Sequence, residues 1–135
     1  MLKYMLDTNI CIFTIKNRPS HMRDQFNLHH GRMCISTVTL MELIYGAEKS
    51  ACPERNLSVV EGFAARVTVL TYDIFAAEHT GQLRAELARI GRPIGPYDHM
   101  IAGHARSQGL IVVTNNRCEF DRIPGLRVED WAQMT

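Results

Sequence analysis

Four carboxylates in this chain stand where an acid is conspicuous. Asp7 ends the apolar run Tyr4-Met5-Leu6, and Glu42 lies inside Leu40-Met41-Glu42-Leu43-Ile44. Asp98 follows the turn-rich stretch from Gly91 to Pro96, and Glu119 comes three residues after Asn116. Carboxylates packed together repel, and their pKa values rise unless a cation neutralises them. Oxygen-only ligands select hard cations, and magnesium accepts a few carboxylates while keeping several waters. Such an ion neutralises charge on a phosphate and delivers a water to phosphorus, so the chemistry this pattern would serve is hydrolysis of a phosphate ester. The histidines offer no zinc site: His21, His29, His30, His79, His99 and His104 show neither an H-E-x-x-H pattern nor cysteine pairing. The sequence has no Gly-rich phosphate loop and no G-x-S-x-G elbow.

Each acid also has a plainer reading. Asp7 can cap the following helix, Glu42 can sit at the edge of an apolar stripe, and Asp98 near a helix start is favoured by the macrodipole alone. Glu119 stands among Asp121 and Arg122, where a solvated charge is the ordinary case, and Asn116 can simply hold a turn. A shared location is what would separate chemistry from structure, and that depends on the elements carrying them.

Those elements are written in the apolar pattern. Tyr4-Met5-Leu6 reads as a buried strand with Asp7 at its C-terminal end, and Thr8 or Asn9 as the cap of a helix carrying Ile10, Ile12, Phe13 and Ile15. Met33-Cys34-Ile35 is a second buried strand, after which Ser36 or Thr37 caps a helix from Val38 to Tyr45. Pro53 opens a helix with Leu57, Val59, Val60, Phe63 and Ala64 on its apolar face, and Val67 to Leu70 is a third strand. Asp73 or a neighbour starts a long helix to about Ile90, closed by Gly91. Pro96 opens the helix holding Asp98, Ile101, Ala102 and Ala105, stopped at Gly109; Leu110 to Thr114 is the clearest strand, and Leu126-Arg127-Val128 a short last one. Strands alternating with helices predict an α/β sandwich around a mainly parallel sheet. Open parallel sheets form sites outside the carboxyl ends of their strands. A topology setting those ends side by side gathers four carboxylates with Asn115 and Asn116 in one cleft.

The bulk properties bound the rest. A chain of 135 residues with 46% hydrophobic and 21% charged residues is expected to fold as one domain over 1–135. The formal net charge of +1 means that any nucleic-acid affinity must come from local placement of bases. Cys11, Cys34, Cys52 and Cys118 lack metal or disulfide spacing and read as reduced thiols of a cytoplasmic protein. No stretch approaches the roughly 20 apolar residues of a membrane span, so no membrane association is expected.

Taken together, four ordered segments resemble the PIN-domain nucleases and, more narrowly, the VapC-type toxins. They are Met5-Leu-Asp7-Thr8-Asn9, Ser36-Thr-Val-Thr-Leu-Met-Glu42-Leu-Ile-Tyr-Gly46, Ile94-Gly-Pro-Tyr-Asp98-His-Met-Ile-Ala-Gly-His104, and Gly109-Leu-Ile-Val-Val-Thr114-Asn-Asn116-Arg-Cys-Glu119-Phe120. The resemblance covers essentially the whole chain. It implies a three-layer α/β/α sandwich and a magnesium- or manganese-dependent endoribonuclease, with Asp7, Glu42, Asp98 and Glu119 on the family's acidic quartet. Asp7 and Asp98 fall on metal-ligand positions. Thr8, Ser36, Thr114 and Asn116 match polar positions that support the acids or the metal-bound water. One departure is that many PIN nucleases carry an acid where this chain has Asn116, which leaves the fourth carboxylate to Glu119. The resemblance further implies a VapB-like antitoxin that blocks the cleft, operator DNA bound through that complex, and a structured RNA substrate, tRNA and initiator tRNA foremost. A homodimer is expected.

Lys16, Arg18, Lys49, Arg84, Arg89, Arg92 and Arg117 flank the motifs and are candidates to meet phosphates, with plain solvation as the alternative. Tyr97 is a candidate to stack on a base. The helices around Leu57/Phe63 and Ile74–Leu87 offer a dimer face or an antitoxin groove, or else simply core packing. Two other functions compete. A magnesium-dependent phosphatase would more naturally show Asp-x-Asp on the first strand, where this chain has Asp7-Thr8-Asn9, and a non-enzymatic PIN-like module would be expected to lose acids.

Overall fold

The computed structural model describes residues 1–133. In chain order its elements are β1 (Tyr4–Leu6), α1 (Thr8–Lys16), α2 (Met22–Leu28), β2 (Met33–Ser36), α3 (Thr37–Glu48), α4 (Pro53–Ala64), β3 (Thr68–Leu70), α5 (Ile74–Arg89), α6 (Pro96–Gln108), β4 (Ile111–Val113), α7 (Arg117–Phe120) and β5 (Val128–Glu129). The strands form one sheet in the order β3-β2-β1-β4-β5, and every pairing is parallel.

Side chains alternate across this sheet, and the alternation divides the core. Tyr4, Leu6, Met33, Ile35, Ile111 and Val113 face one side, where they meet Ile10 and Cys11 of α1, Met22 and Phe26 of α2, and Val60 and Phe63 of α4. Met5, Cys34 and Val112 face the other side, against Leu83 and Leu87 of α5, Ile101 and Ala105 of α6, and Phe120 of α7. The α3 helix serves both, giving Leu43 and Ala47 to the first and Val38 to the second. The result is the three-layer α/β/α sandwich expected. Phe63 and Leu87 belong to its core, so the parts of α4 and α5 that carry them are packing surfaces.

The helix bearing Asp98 is fixed from behind. Leu83, Leu87 and Ile101 have no exposed surface, and burying each stabilises by about 1.5–3 kcal/mol. Gly103 lets α6 lie directly on α5, because a Cβ there would fall 2.7 Å from the Cα of Thr80. Burial pushes the Cys34 thiol up to about 12 and the Cys11 thiol well above its ordinary value, so both pack as inert thiols.

The structure corrects the sequence reading in places. The start of α1 is capped by Asp7, whose side chain accepts from the Ile10 amide, rather than by Thr8 or Asn9. The α2 helix was not expected: it has seven residues, buries only Met22 and Phe26, and begins at His21 without a side-chain cap. The last strand is shifted to Val128–Glu129, because its register is set by pairing Val112 with Val128. Among the described residues no helix is long and apolar enough to cross a membrane.

Candidate active site

The strand order reverses between β1 and β4. The chain builds outward from β1 to β2 and β3, then returns to lay β4 on the other side of β1. Such a switch point leaves a crevice at the carboxyl ends of the two strands. The residues that follow those ends are Asp7 and Thr114.

Asp7 is locked by both neighbours. Its amide donates to the Val113 carbonyl at 3.0 Å, and its Oδ1 accepts from the Ile10 amide at 2.9 Å. It is 3% exposed, which makes desolvation its main perturbation. Burial raises its pKa from 3.8 to about 6, against opposing hydrogen bonds from Thr114 and the Ile10 amide and with smaller repulsion from Glu42 and Asp130.

The other acids arrive on helices. Glu42, one and a half turns into α3, accepts from the Thr8 hydroxyl at 2.6 Å through Oε1, which ties α3 to the start of α1. Asp98 lies in the first turn of α6. Glu119 lies on α7, and its Oε2 accepts from Asn116 Nδ2 at 2.7 Å. Thr114 links the strand end to this group, with its Oγ1 accepting from the Asn116 amide at 2.9 Å.

Asp98 registers the whole cluster. Its pKa is pushed up to about 7 first by burial, then by the charge of Asp7, by hydrogen bonding to and the charge of Glu119, and by the charge of Glu42. Asp7, Glu42 and Glu119 therefore all lie near enough for their charges to act on Asp98. Among the described residues, no three His, Cys, Asp or Glu side chains close into a ready-made metal cage. Magnesium does not require one, since it is commonly held by one or two carboxylates with water completing its shell.

Of the polar positions expected to support the acids or the metal-bound water, Thr8, Thr114 and Asn116 are hydrogen-bonded to Glu42, Asp7 and Glu119 respectively. Ser36 is hydrogen-bonded to none of the four acids. Its Oγ accepts from the Val38 amide at 3.1 Å, capping α3, and shares a 2.9 Å hydrogen bond with His104 Nδ1 on α6. Ser36 and His104 thus join from behind the two helices that carry Glu42 and Asp98. Two further features escaped the sequence reading. Asn9 Nδ2 donates to Asn115 Oδ1 at 3.4 Å, bridging the residues beyond β1 and β4. Asp130 immediately follows β5, as Asp7 follows β1, and its charge reaches Asp7. Among the flanking bases, Arg117 is paired with Asp121 at 3.4 Å. Tyr97, beside Asp98, is 46% exposed and free to present its ring.

A family model described as PIN domain matches residues 4–126. The chain is 72% identical over 132 residues to a Shigella flexneri protein named tRNA(fMet)-specific endonuclease VapC, covering 98% of this chain and 100% of that one. It is 53% identical over 131 residues to Ribonuclease VapC2 of Haemophilus influenzae, covering 97% and 99%. Among solved structures, a chain of DNA-bound VapBC from Salmonella typhimurium superposes with a TM-score of 0.93 at 72% identity, covering 97% of this chain and 99% of that one. VapBC2 from Rickettsia felis, bound to a promoter DNA fragment, gives a TM-score of 0.90 at 37% identity, covering 96% and 99%.

Proposed function

This chain belongs to the PIN-domain family and, within it, to the VapC ribonucleases, and from that premise we propose that it is the toxin of a toxin–antitoxin pair, a magnesium-dependent endoribonuclease that cuts initiator tRNA in the cytoplasm. The observation that carries the reading is the convergence of Asp7, Glu42 and Glu119 on Asp98 at the switch-point crevice. The substrate follows the 72%-identical relative named for tRNA(fMet).

The donor set suits a hard divalent cation. It is made of oxygens only, and burial with repulsion from neighbouring acids raises the pKa of both Asp7 and Asp98, a cost that a bound cation offsets. Asp7 and Asp98 would hold the ion, with manganese able to replace magnesium. When bound, the ion supplies neutralisation of the scissile phosphate and a lowered pKa for water. The chain's own residues do the rest. The Ile10 amide and Thr114 hold Asp7 in place. Thr8 tethers one oxygen of Glu42 and Asn116 one oxygen of Glu119. Glu42 keeps its second oxygen to accept a proton from the water that attacks phosphorus.

The proposed partner is a VapB-like antitoxin, in keeping with the VapBC complexes that the chain superposes on. A concavity of about 310 Å³, lined by Ile12, Ile15, Leu43 and Val59 together with Lys16 and Glu42, suits an apolar antitoxin segment. Operator DNA would be bound through that complex. A homodimer is the proposed assembly, and Ile74 and Phe75 at the start of α5, 74% and 64% exposed, are apolar surface available to it.

Expressing the chain alone should arrest bacterial growth with loss of intact initiator tRNA, and co-expressing its VapB-like antitoxin should relieve both. The purified protein should lose cleavage in EDTA and regain it with magnesium or manganese, while calcium supports little turnover because its looser geometry positions water poorly. Soluble expression that leaves growth and the tRNA pool unchanged would refute the toxin reading, and full cleavage in EDTA would refute the metal.

A further inference from the structure

A parallel sheet places every strand start at one edge, and in this sheet that edge is basic. Lys3 directly precedes β1, Arg32 directly precedes β2, and Arg127 directly precedes β5. Together with Leu2 and Gly109 they line a concavity of about 440 Å³ that no acidic residue lines. The backbone there is well fixed. The Lys3 amide donates to the Arg32 carbonyl at 2.9 Å, the Ile111 amide donates to the Lys3 carbonyl at 2.9 Å, and Arg127 Nη2 donates to the Gly109 carbonyl at 3.0 Å. Lys3 Nζ and the Arg32 guanidinium lie 5.4 and 6.0 Å from the centroid of the same Tyr4 ring. Among the described residues the ion pairs are Arg106–Glu86 and Arg117–Asp121, so none of these three bases is neutralised there.

The opposite edge carries Asp7, Glu42, Asp98, Glu119 and Asp130. With a net charge of only +1, this is a separation of charge along the strands rather than an excess of one sign. From Lys3 to Asp7 the chain advances about 13 Å at the rise of a strand, and β2 to β5 spans three inter-strand steps, about 14 Å. Bases carried on strand starts spread over about 14 Å offer a run of backbone phosphates more than one contact. An acidic cutting edge repels its polyanionic substrate, and affinity has to come from cations placed elsewhere.

We propose that Lys3, Arg32 and Arg127 form a second RNA-binding site at the amino edge of the sheet, which holds backbone phosphates of a folded RNA while a different part of the same molecule lies in the carboxylate cleft. The inference rests on the reading of this chain as a tRNA-cutting nuclease. A folded RNA large enough to reach both edges is bound at one and cut at the other.

The test compares the full chain with Lys3→Gln/Arg32→Gln/Arg127→Gln, using full-length initiator tRNA. Binding is measured by anisotropy over a range of KCl, in an Asp98→Asn background that prevents cleavage, and cleavage is measured in the parent background. The expected result is at least a tenfold loss of affinity at about 0.1 M salt and a slope of log K against log salt smaller by about two, as three lost phosphate contacts require. KM should rise by a similar factor while kcat stays within twofold. Arg32→Gln and Arg127→Gln alone, both at exposed positions, should each remove about a third of the slope change, which separates lost contacts from misfolding. Equal affinity and equal slope in parent and variant would overturn the proposal. So would a loss confined to operator DNA binding by the antitoxin complex, which would assign the patch to DNA. A parent that neither binds nor cuts tRNA would instead remove the nuclease reading beneath it, and the proposal would fall with it.

Discussion

Replacing Asp7 with Asn separates the two things this side chain does. Its Oδ1 caps α1, a task that Asn performs about as well as Asp. Its charge sits 97% out of solvent reach beside other carboxylates, as its 3% exposure indicates, and raises its pKa from 3.8 to about 6. That rise corresponds to about 3 kcal/mol against the ionised, metal-free fold. The sign is that of a raised acid. Below about pH 4 the carboxyl is protonated in folded and unfolded chains alike and costs nothing. Between pH 4 and 6 the unfolded chain ionises first and stability falls, and above pH 6 the full cost is present. Asp7→Asn removes this cost, which is already net of the hydrogen bonds from Thr114 and the Ile10 amide. Melting in EDTA at pH 7.5 should therefore rise by roughly 6–12 °C, for about 3 kcal/mol in a chain of this size, and the gain should vanish near pH 4. Magnesium should raise the melting temperature of the parent and not of the variant, and cleavage by the variant should fall at least about 10²-fold. Scanning calorimetry across pH 4–8 with and without magnesium reads all of this. A variant that melts below its parent at pH 7.5 in EDTA, or whose gain is the same at pH 4 and pH 8, would refute the electrostatic account.

Asp98→Asn should lower tRNA cleavage by about 10²–10³-fold without lowering the EDTA melting temperature; near-parental cleavage would reduce Asp98 to a partner of the α6 dipole. Thr8→Val leaves Glu42 Oε1 without its donor and should cut kcat by about ten- to a hundredfold with the fold intact, while Thr8→Ser restores most of it. Gly103→Ala should destabilise by about 1–3 kcal/mol by forcing α6 off Thr80, read as a lower melting temperature, and should also slow cleavage because the helix that carries Asp98 is displaced.

Strands buried on both faces read as unbroken apolar runs, which is why Tyr4–Leu6, Met33–Ser36 and Ile111–Val113 are legible in the sequence. Local chemistry also marks Asp73 as a cap and Gly109, at φ 67°, as a helix stop. The four acids are legible because their places follow from those elements. Their tethers are not. Thr8 and Glu42 are 34 residues apart, and which hydroxyl meets which carboxylate depends on how α1 packs against α3. Ser36 follows the pattern of the other polar site residues, yet its side chain turns to His104 because α6 lies behind β2, a fact of tertiary packing. Asp130 obeys the same rule as Asp7, but Val128-Glu129-Asp130 has no apolar run to mark the strand it ends.

The central position of β1 also sets when the carboxylate cleft can form. Asp7 is translated well before the β4 strand that holds its amide, and Asn9 waits for a partner 106 residues downstream. At about 5–20 residues per second that interval is roughly 5–20 s. Throughout it the nascent chain has a first acid and no last one, so the carboxylate cleft does not yet exist. The cleft is completed only once β4 lies beside β1 and the segment carrying Glu119 follows it.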